Sequence, residues 1–131
     1  MILILVLLFG SSAFAGETSL GVGKQTNGDG TNFQMNYRDQ VWDGNYIQFK
    51  GGYFGGIHVG MGGGLRVDLQ PFELRGGLSV GPTIGQSFLE LNPEAYLGVK
   101  DRGGNAIGFQ FDHFTSQGGR QYLTLQLTQR F

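Results

Sequence analysis

The residues of this 131-residue chain that could do chemistry are few. There are two histidines, His58 and His113, and no cysteine, which removes thiolate metal sites, disulfide frameworks and cysteine nucleophiles. Two histidines on separate segments make no metal motif, so neither a metal nor a cofactor is expected. His113 is followed by Thr115 and Ser116. An imidazole beside a hydroxyl is the minimal pair for base-assisted nucleophilic attack, with an acyl ester as its natural target. Asp68, Glu73 and Glu94 have opposite charges nearby in sequence (Arg66, Arg75 and Lys100), which favours ion pairing over acid–base work. Gly21-Val22-Gly23-Lys24-Gln25-Thr26 has part of a phosphate-loop pattern, but the spacing is incomplete and no helix follows. A formal net charge of -1 argues against nucleic acid as a partner.

The elements that must position these residues are strands. From Ile57 the apolar parity runs Val59, Met61, Leu65, Val67, Leu69, against His58, Gly60, Gly62, Gly64, Arg66, Asp68. The same period of two recurs in 31–40, in 105–115 and in the last dozen residues, where Leu123, Leu125 and Leu127 oppose Thr124, Gln126 and Thr128. Turn signals such as Asn27-Gly28-Asp29-Gly30, Gly55-Gly56 and Asp101-Arg102-Gly103-Gly104 separate the runs. Eight strands are predicted, at 18–26, 31–40, 45–53, 57–69, 71–85, 92–101, 105–115 and 120–131. The fifth and sixth boundaries are the least defined, because Ser87-Phe88-Leu89-Glu90-Leu91 alternates poorly.

Which parity meets lipid decides the class. Were the polar parity outside, Arg66 and Arg75 would each cost about 2–4 kcal/mol near a bilayer midplane, so the charges and glycines belong inside. Strands of this length cross a bilayer at a tilt. The reading is an all-β, eight-stranded antiparallel up-and-down transmembrane barrel; the soluble alternative is a secreted barrel of the avidin or lipocalin sort. Tyr37, Trp42, Tyr46, Phe49, Tyr53, Phe54 and Phe114 are expected to furnish interfacial girdles. Eight strands leave a filled lumen, so a pore is not expected.

Met1 to Gly10 is almost wholly apolar, too short to span a bilayer, and is followed by Ser11-Ser12-Ala13-Phe14-Ala15. That is a signal-peptide pattern: residues 1–15 are expected to be cleaved, leaving 16–131 as one exported domain. The alternation ending on Phe131 is similar to the C-terminal assembly signal of outer-membrane proteins, which implies the barrel-assembly machinery as a partner and the outer membrane of a Gram-negative bacterium as the location. With the N-terminus periplasmic, the seventh strand ends at the external surface. His113 and Thr115 share the outward parity of Ile107, Phe109 and Phe111 and therefore face the outer-leaflet headgroup region.

The segment from Phe109 through Asp112-His113-Phe114-Thr115-Ser116 to Phe131 resembles the last hairpin of the lipid A 3-O-deacylase family. Members are eight-stranded outer-membrane barrels with a His-x-Ser-Asn motif and a downstream Glu on the outer wall, and they cleave an acyl ester of lipid A without a cofactor. The resemblance implies His113 as base and Thr115 at the serine position, with Ser116 as the alternative hydroxyl. The best match to the acid is Gln121, which carries no charge; Asp112 has inward parity. Lipid A is the partner that the resemblance implies. Two function classes follow: an outer-membrane lipid A acyl-ester hydrolase, and a non-catalytic small barrel with a structural or surface role.

Overall fold

In the structure, a computed structural model, residues 16–42, 44–103, 105–115 and 119–130 are described. Eight antiparallel strands close into a barrel in sequence order: β1 (Glu17–Gln25), β2 (Thr31–Trp42), β3 (Asn45–Phe54), β4 (Ile57–Leu69), β5 (Phe72–Thr83), β6 (Ser87–Lys100), β7 (Ala106–Phe114) and β8 (Arg120–Arg130). Closure comes from β1 pairing with β8, from Glu17 opposite Arg130 to Gln25 opposite Tyr122. The described chain starts and stops at one end of the barrel, here called the terminal end. The far end carries the connections 26–30, 55–56 and 84–86, with Thr115 and Gly119 at the facing ends of β7 and β8. The signal segment 1–15, Ser116 and Phe131 lie outside the described residues.

The barrel is inside-out relative to a soluble one. Val59, Met61, Leu65, Phe109, Leu125 and their neighbours face outward and are exposed, whereas Gln34, Arg38, Lys50, Asn92, Asp112 and Gln126 are buried in the lumen. That excludes the avidin- or lipocalin-like alternative, because an apolar outer wall around a polar interior suits lipid outside. The lumen is filled by ion pairs and amides in layers. Near the terminal end Glu17 pairs with Arg38 (2.8 Å) and with Arg66, and Glu73 with Arg75 (3.0 Å). At mid-height Lys50 Nζ meets Glu94 (2.6 Å), Asp112 (2.5 Å) and Asn92 (2.6 Å). These partners correct two pairings expected from sequence proximity. Glu94 pairs with Lys50 rather than Lys100, and Lys100 takes Asp68 (2.6 Å) while Arg66 takes Glu17 and Glu73. Inward side chains in a narrow barrel reach across the lumen, so spatial layers override proximity along a strand.

Glycines explain how so narrow a barrel closes. At Gly62 and Gly64 on β4 an added Cβ would overlap the carbonyl oxygens of Leu78 and Gly76 on β5. The strands approach more closely on the lumenal side than any side chain permits. Gly76 faces outward with nothing near the position of a Cβ. Gly62→Val is therefore expected to destabilise the barrel by about 3 kcal/mol, the upper part of the overpacking range, while Gly76→Val folds normally. Heat-modified gel mobility after refolding into vesicles separates the two outcomes.

Two expectations from the alternation need correction. The sixth strand begins at Ser87 instead of 92 and the fifth spans Phe72–Thr83. The register shifts between Gly81 and Thr83 as β6 starts opposite them, so Phe88 and Leu89 are both exposed before Glu90 turns inward. An inserted residue breaks a period of two locally, which is why this stretch alternates poorly. Of the expected girdle, Phe49 and Tyr53 are exposed on the wall, but Tyr46, Phe54 and Phe114 are lumenal and buried. Phe54, Phe114 and Tyr122 cluster under the far end, with ring centroids 4.6 Å apart for Phe54–Phe114 and 5.3 Å for Phe54–Tyr122. They plug the lumen instead of anchoring the wall. The side chain of Trp42 lies outside the described set.

Candidate functional site

His113 stands near the far end of β7, and its strand pairing fixes what shares its face. Its cross-strand partner on β8 is Gln121, and both have outward parity. Directly opposed residues on one face have Cβ atoms about 5 Å apart, so the imidazole and the amide are neighbours. Beyond Gln121, Thr26 follows at the end of β1, donating its backbone N–H to Gln121 O (2.7 Å) and its hydroxyl towards Gln121 Oε1 (3.5 Å). The row His113–Gln121–Thr26 is thus a polar strip on an otherwise apolar wall.

Two residues hold this strip in ways the sequence does not signal. Gly119, at φ +84°, lies beneath the imidazole: a Cβ added there would sit 3.0 Å from His113 Cε1. A side chain at 119 would be strained and would press on the ring. Asn27, in the β1–β2 connection, donates from Nδ2 to Gly119 O (2.7 Å) and accepts at Oδ1 from the Gln121 N–H (3.1 Å). One side chain therefore fastens Gly119 and Gln121, at the start of β8, to the β1–β2 connection. Its role is hidden in the sequence because Asn27 lies 92 residues from Gly119 and meets it only through barrel closure.

Thr115 is exposed just beyond β7, but its hydroxyl is engaged elsewhere. It donates to Leu91 O (3.3 Å) and accepts from the Leu91 N–H (3.3 Å), while Thr115 N–H also donates to Leu91 O (3.2 Å). Among the described residues no hydrogen bond joins His113 to Thr115. The structure brings together His113 and Gln121, keeps Thr115 on the same side one two-residue step away, and does not describe Ser116. Asp112 points inward, bound to Lys50. No carboxylate shares the outward row with His113 among the described residues.

His58 has a different fate. It is fully buried, its Nδ1 2.9 Å from Thr83 Oγ1, and Thr83 in turn donates to Glu90. Carboxylate, hydroxyl and imidazole thus form a chain, but the hydroxyl lies in the middle. A nucleophilic triad needs the imidazole between acid and hydroxyl. Glu90 also takes Arg120 Nη2 (2.5 Å), whose other nitrogen donates to Phe54 O, so this network closes the far end beside the aromatic plug. His58 thus has a lumenal hydrogen-bonding role. No group of His, Cys, Asp and Glu among the described residues is arranged to hold a metal.

No protein-family model matches the sequence, and no curated protein does. Solved structures share the fold, two of them as follows. One, described as the crystal structure of the outer membrane enzyme PagL, superposes with a TM-score of 0.63 at 13% identity, covering 88% of this chain and 99% of that one. The other, the Yersinia pestis outer membrane protein Ail in a phospholipid bilayer nanodisc, gives a TM-score of 0.51 at 13% identity, covering 86% and 99%. The chain therefore has the fold of small eight-stranded outer-membrane barrels.

Proposed function

We propose that this protein is an outer-membrane barrel that hydrolyses an acyl ester of an outer-leaflet lipid of the lipid A class, at its lipid-facing wall. The observation that carries the reading is the row His113–Gln121, a titratable base and an amide opposed across β7 and β8 on the outer wall. His113 is the base and Thr115 the hydroxyl nucleophile; attack forms an acyl-enzyme ester and releases the lipid alcohol, and water then frees the fatty acid. For this, Thr115 Oγ1 must leave Leu91 and turn towards His113, breaking two hydrogen bonds of 3.3 Å. Gln121 orients the ring through its amide oxygen without supplying charge. The far-end connections 26–30, 55–56 and 84–86 run only two to five residues and offer little loop surface for a large partner, which favours the wall as the working surface. The fold shared with the outer membrane enzyme PagL agrees with this reading.

The second reading is a non-catalytic barrel with a structural or surface role. It is favoured by the engagement of Thr115 with Leu91 and by the missing carboxylate. Mass spectrometry of lipid A incubated with the barrel refolded in detergent separates the two. Loss of one acyl chain with the unmutated protein but not with Thr115→Val supports the hydrolase; intact lipid A with a folded barrel supports the second reading.

Gln121→Glu is a sharper probe. A carboxylate opposite His113 stabilises the imidazolium formed during attack, as the acid of a Ser-His-Asp triad does. The substitution is expected to raise the hydrolysis rate at least about ten-fold, a fraction of what the acid contributes in complete triads. An unchanged rate, read by release of labelled fatty acid, would remove His113 from the role of base.

A further inference from the structure

The lipid-facing parity of the eight strands is apolar with few exceptions, and their placement is uneven. Among the described residues only Lys24 and Asp39 carry a full charge on that parity, Lys24 near the far end of β1 and Asp39 towards the terminal end of β2. Lys24 is exposed and has no ion pair among the described residues. It is opposed by Leu123 on β8 and by Thr31 on β2. Leu123 lies two residues from Gln121, the partner of His113. Lys24 therefore flanks the His113 row, two strands across and one two-residue step down, about 12 Å between Cα atoms from ordinary strand spacing and rise. A lysine side chain snorkels several ångströms along such a wall towards the interface.

The polarity of the far rim points the same way. On the β7–β8–β1–β2 side the outward residues are Thr115, His113, Gln121, Lys24 and Thr31. On the β3–β6 side they are Tyr53, Ile57, Ile84, Phe88 and Leu89, all exposed. The strands on the polar side are on the whole shorter, nine to twelve residues in β7, β8, β1 and β2 against ten to fourteen in β3 to β6. A bilayer meeting walls of unequal height brings its headgroups lower beside the shorter one, or tilts the barrel to the same effect. Headgroups therefore reach Lys24 and His113 together. A cation on a lipid-facing wall is costly at the midplane and cheap at the interface, where an anionic headgroup attracts it.

We propose that Lys24 is the anion contact of this face: its ammonium binds the phosphate of a phosphate-bearing lipid and so holds that lipid's acyl esters beside His113. This specificity role rests on the reading of the His113 face as a lipid site, but it requires binding only, with no covalent step.

The test measures binding without turnover. The barrel in neutral detergent is presented with phosphatidic acid, with diacylglycerol of the same chains, and with inorganic phosphate, and bound molecules are counted by native mass spectrometry. Phosphatidic acid is expected to be retained about five-fold better than diacylglycerol, the gain for one lysine at an anionic surface. Lys24→Gln should bring the two to parity, and Lys24→Arg should keep the preference. A preference that survives Lys24→Gln would overturn the proposal. So would Lys24-dependent retention of inorganic phosphate as strong as that of phosphatidic acid, since the ligand would then be a soluble anion. Lys24-dependent lipid binding without ester hydrolysis would uphold the contact and fell only the hydrolase; hydrolysis with no Lys24-dependent preference would do the reverse.

Discussion

His113→Ala is expected to lower acyl-ester hydrolysis by about a hundred- to ten-thousand-fold, the range that a positioned general base contributes. The barrel itself should be unaffected. His113 makes no hydrogen bond through its ring among the described residues, and it is half-buried on the outer wall rather than packed in the lumen. Its replacement leaves the β7–β8 ladder, from Ala106 opposite Thr128 to Phe114 opposite Arg120, intact. Gel mobility and circular dichroism should match the unmutated protein while labelled fatty acid release falls to background. Gly119→Ala should fall between the two, because its methyl would sit against the ring in a backbone conformation that alanine resists. Equal activity in His113→Ala and the unmutated barrel would move any hydrolysis to other residues.

The parity of His113 is legible because Ile107, Phe109 and Phe111 set an outward row, and a period of two carries one step further without ambiguity. The same arithmetic places Asp112 inside and His58 in the lumen. Parity also separates Phe54 from Tyr53 and puts Tyr46 and Phe114 inside; grouping aromatics by nearness to strand ends ignores it. What alternation does not carry is closure. The β1–β8 seam alone brings Thr26 and Asn27 beside Gln121 and Gly119, across more than ninety residues of chain. Nor does it carry the occupancy of a hydroxyl. Alternation leaves Thr115 free to face His113, yet the start of β6 runs alongside and Leu91 takes it. That start escapes alternation because a bulge removes the very periodicity by which a strand is recognised.

Lys50→Met is expected to cost the largest stability of any single lumenal change, about 3–5 kcal/mol, the range for removing one member of a buried ion pair. The side chain of Lys50 is fully buried, and its ammonium stands between Glu94 Oε2 and Asp112 Oδ1, which it holds at 2.6 and 2.5 Å. Methionine fills much of the volume but leaves two carboxylates facing one another, with no other cation paired to either among the described residues. Gln34 donates to Asp112 (3.1 Å) and Gln110 to Glu94 (2.8 Å), and these neutral amides soften the repulsion without balancing the charge. The effect should be strongly non-additive. Lys50→Met combined with Glu94→Gln and Asp112→Asn removes all three charges together, and it should recover most of the loss because the penalty lies in the unpaired anions. Urea unfolding in lipid vesicles measures both variants. If the triple variant were as unstable as Lys50→Met alone, the stability would come from the packing of the lysine stem, and the polar lumen would owe little to charge pairing.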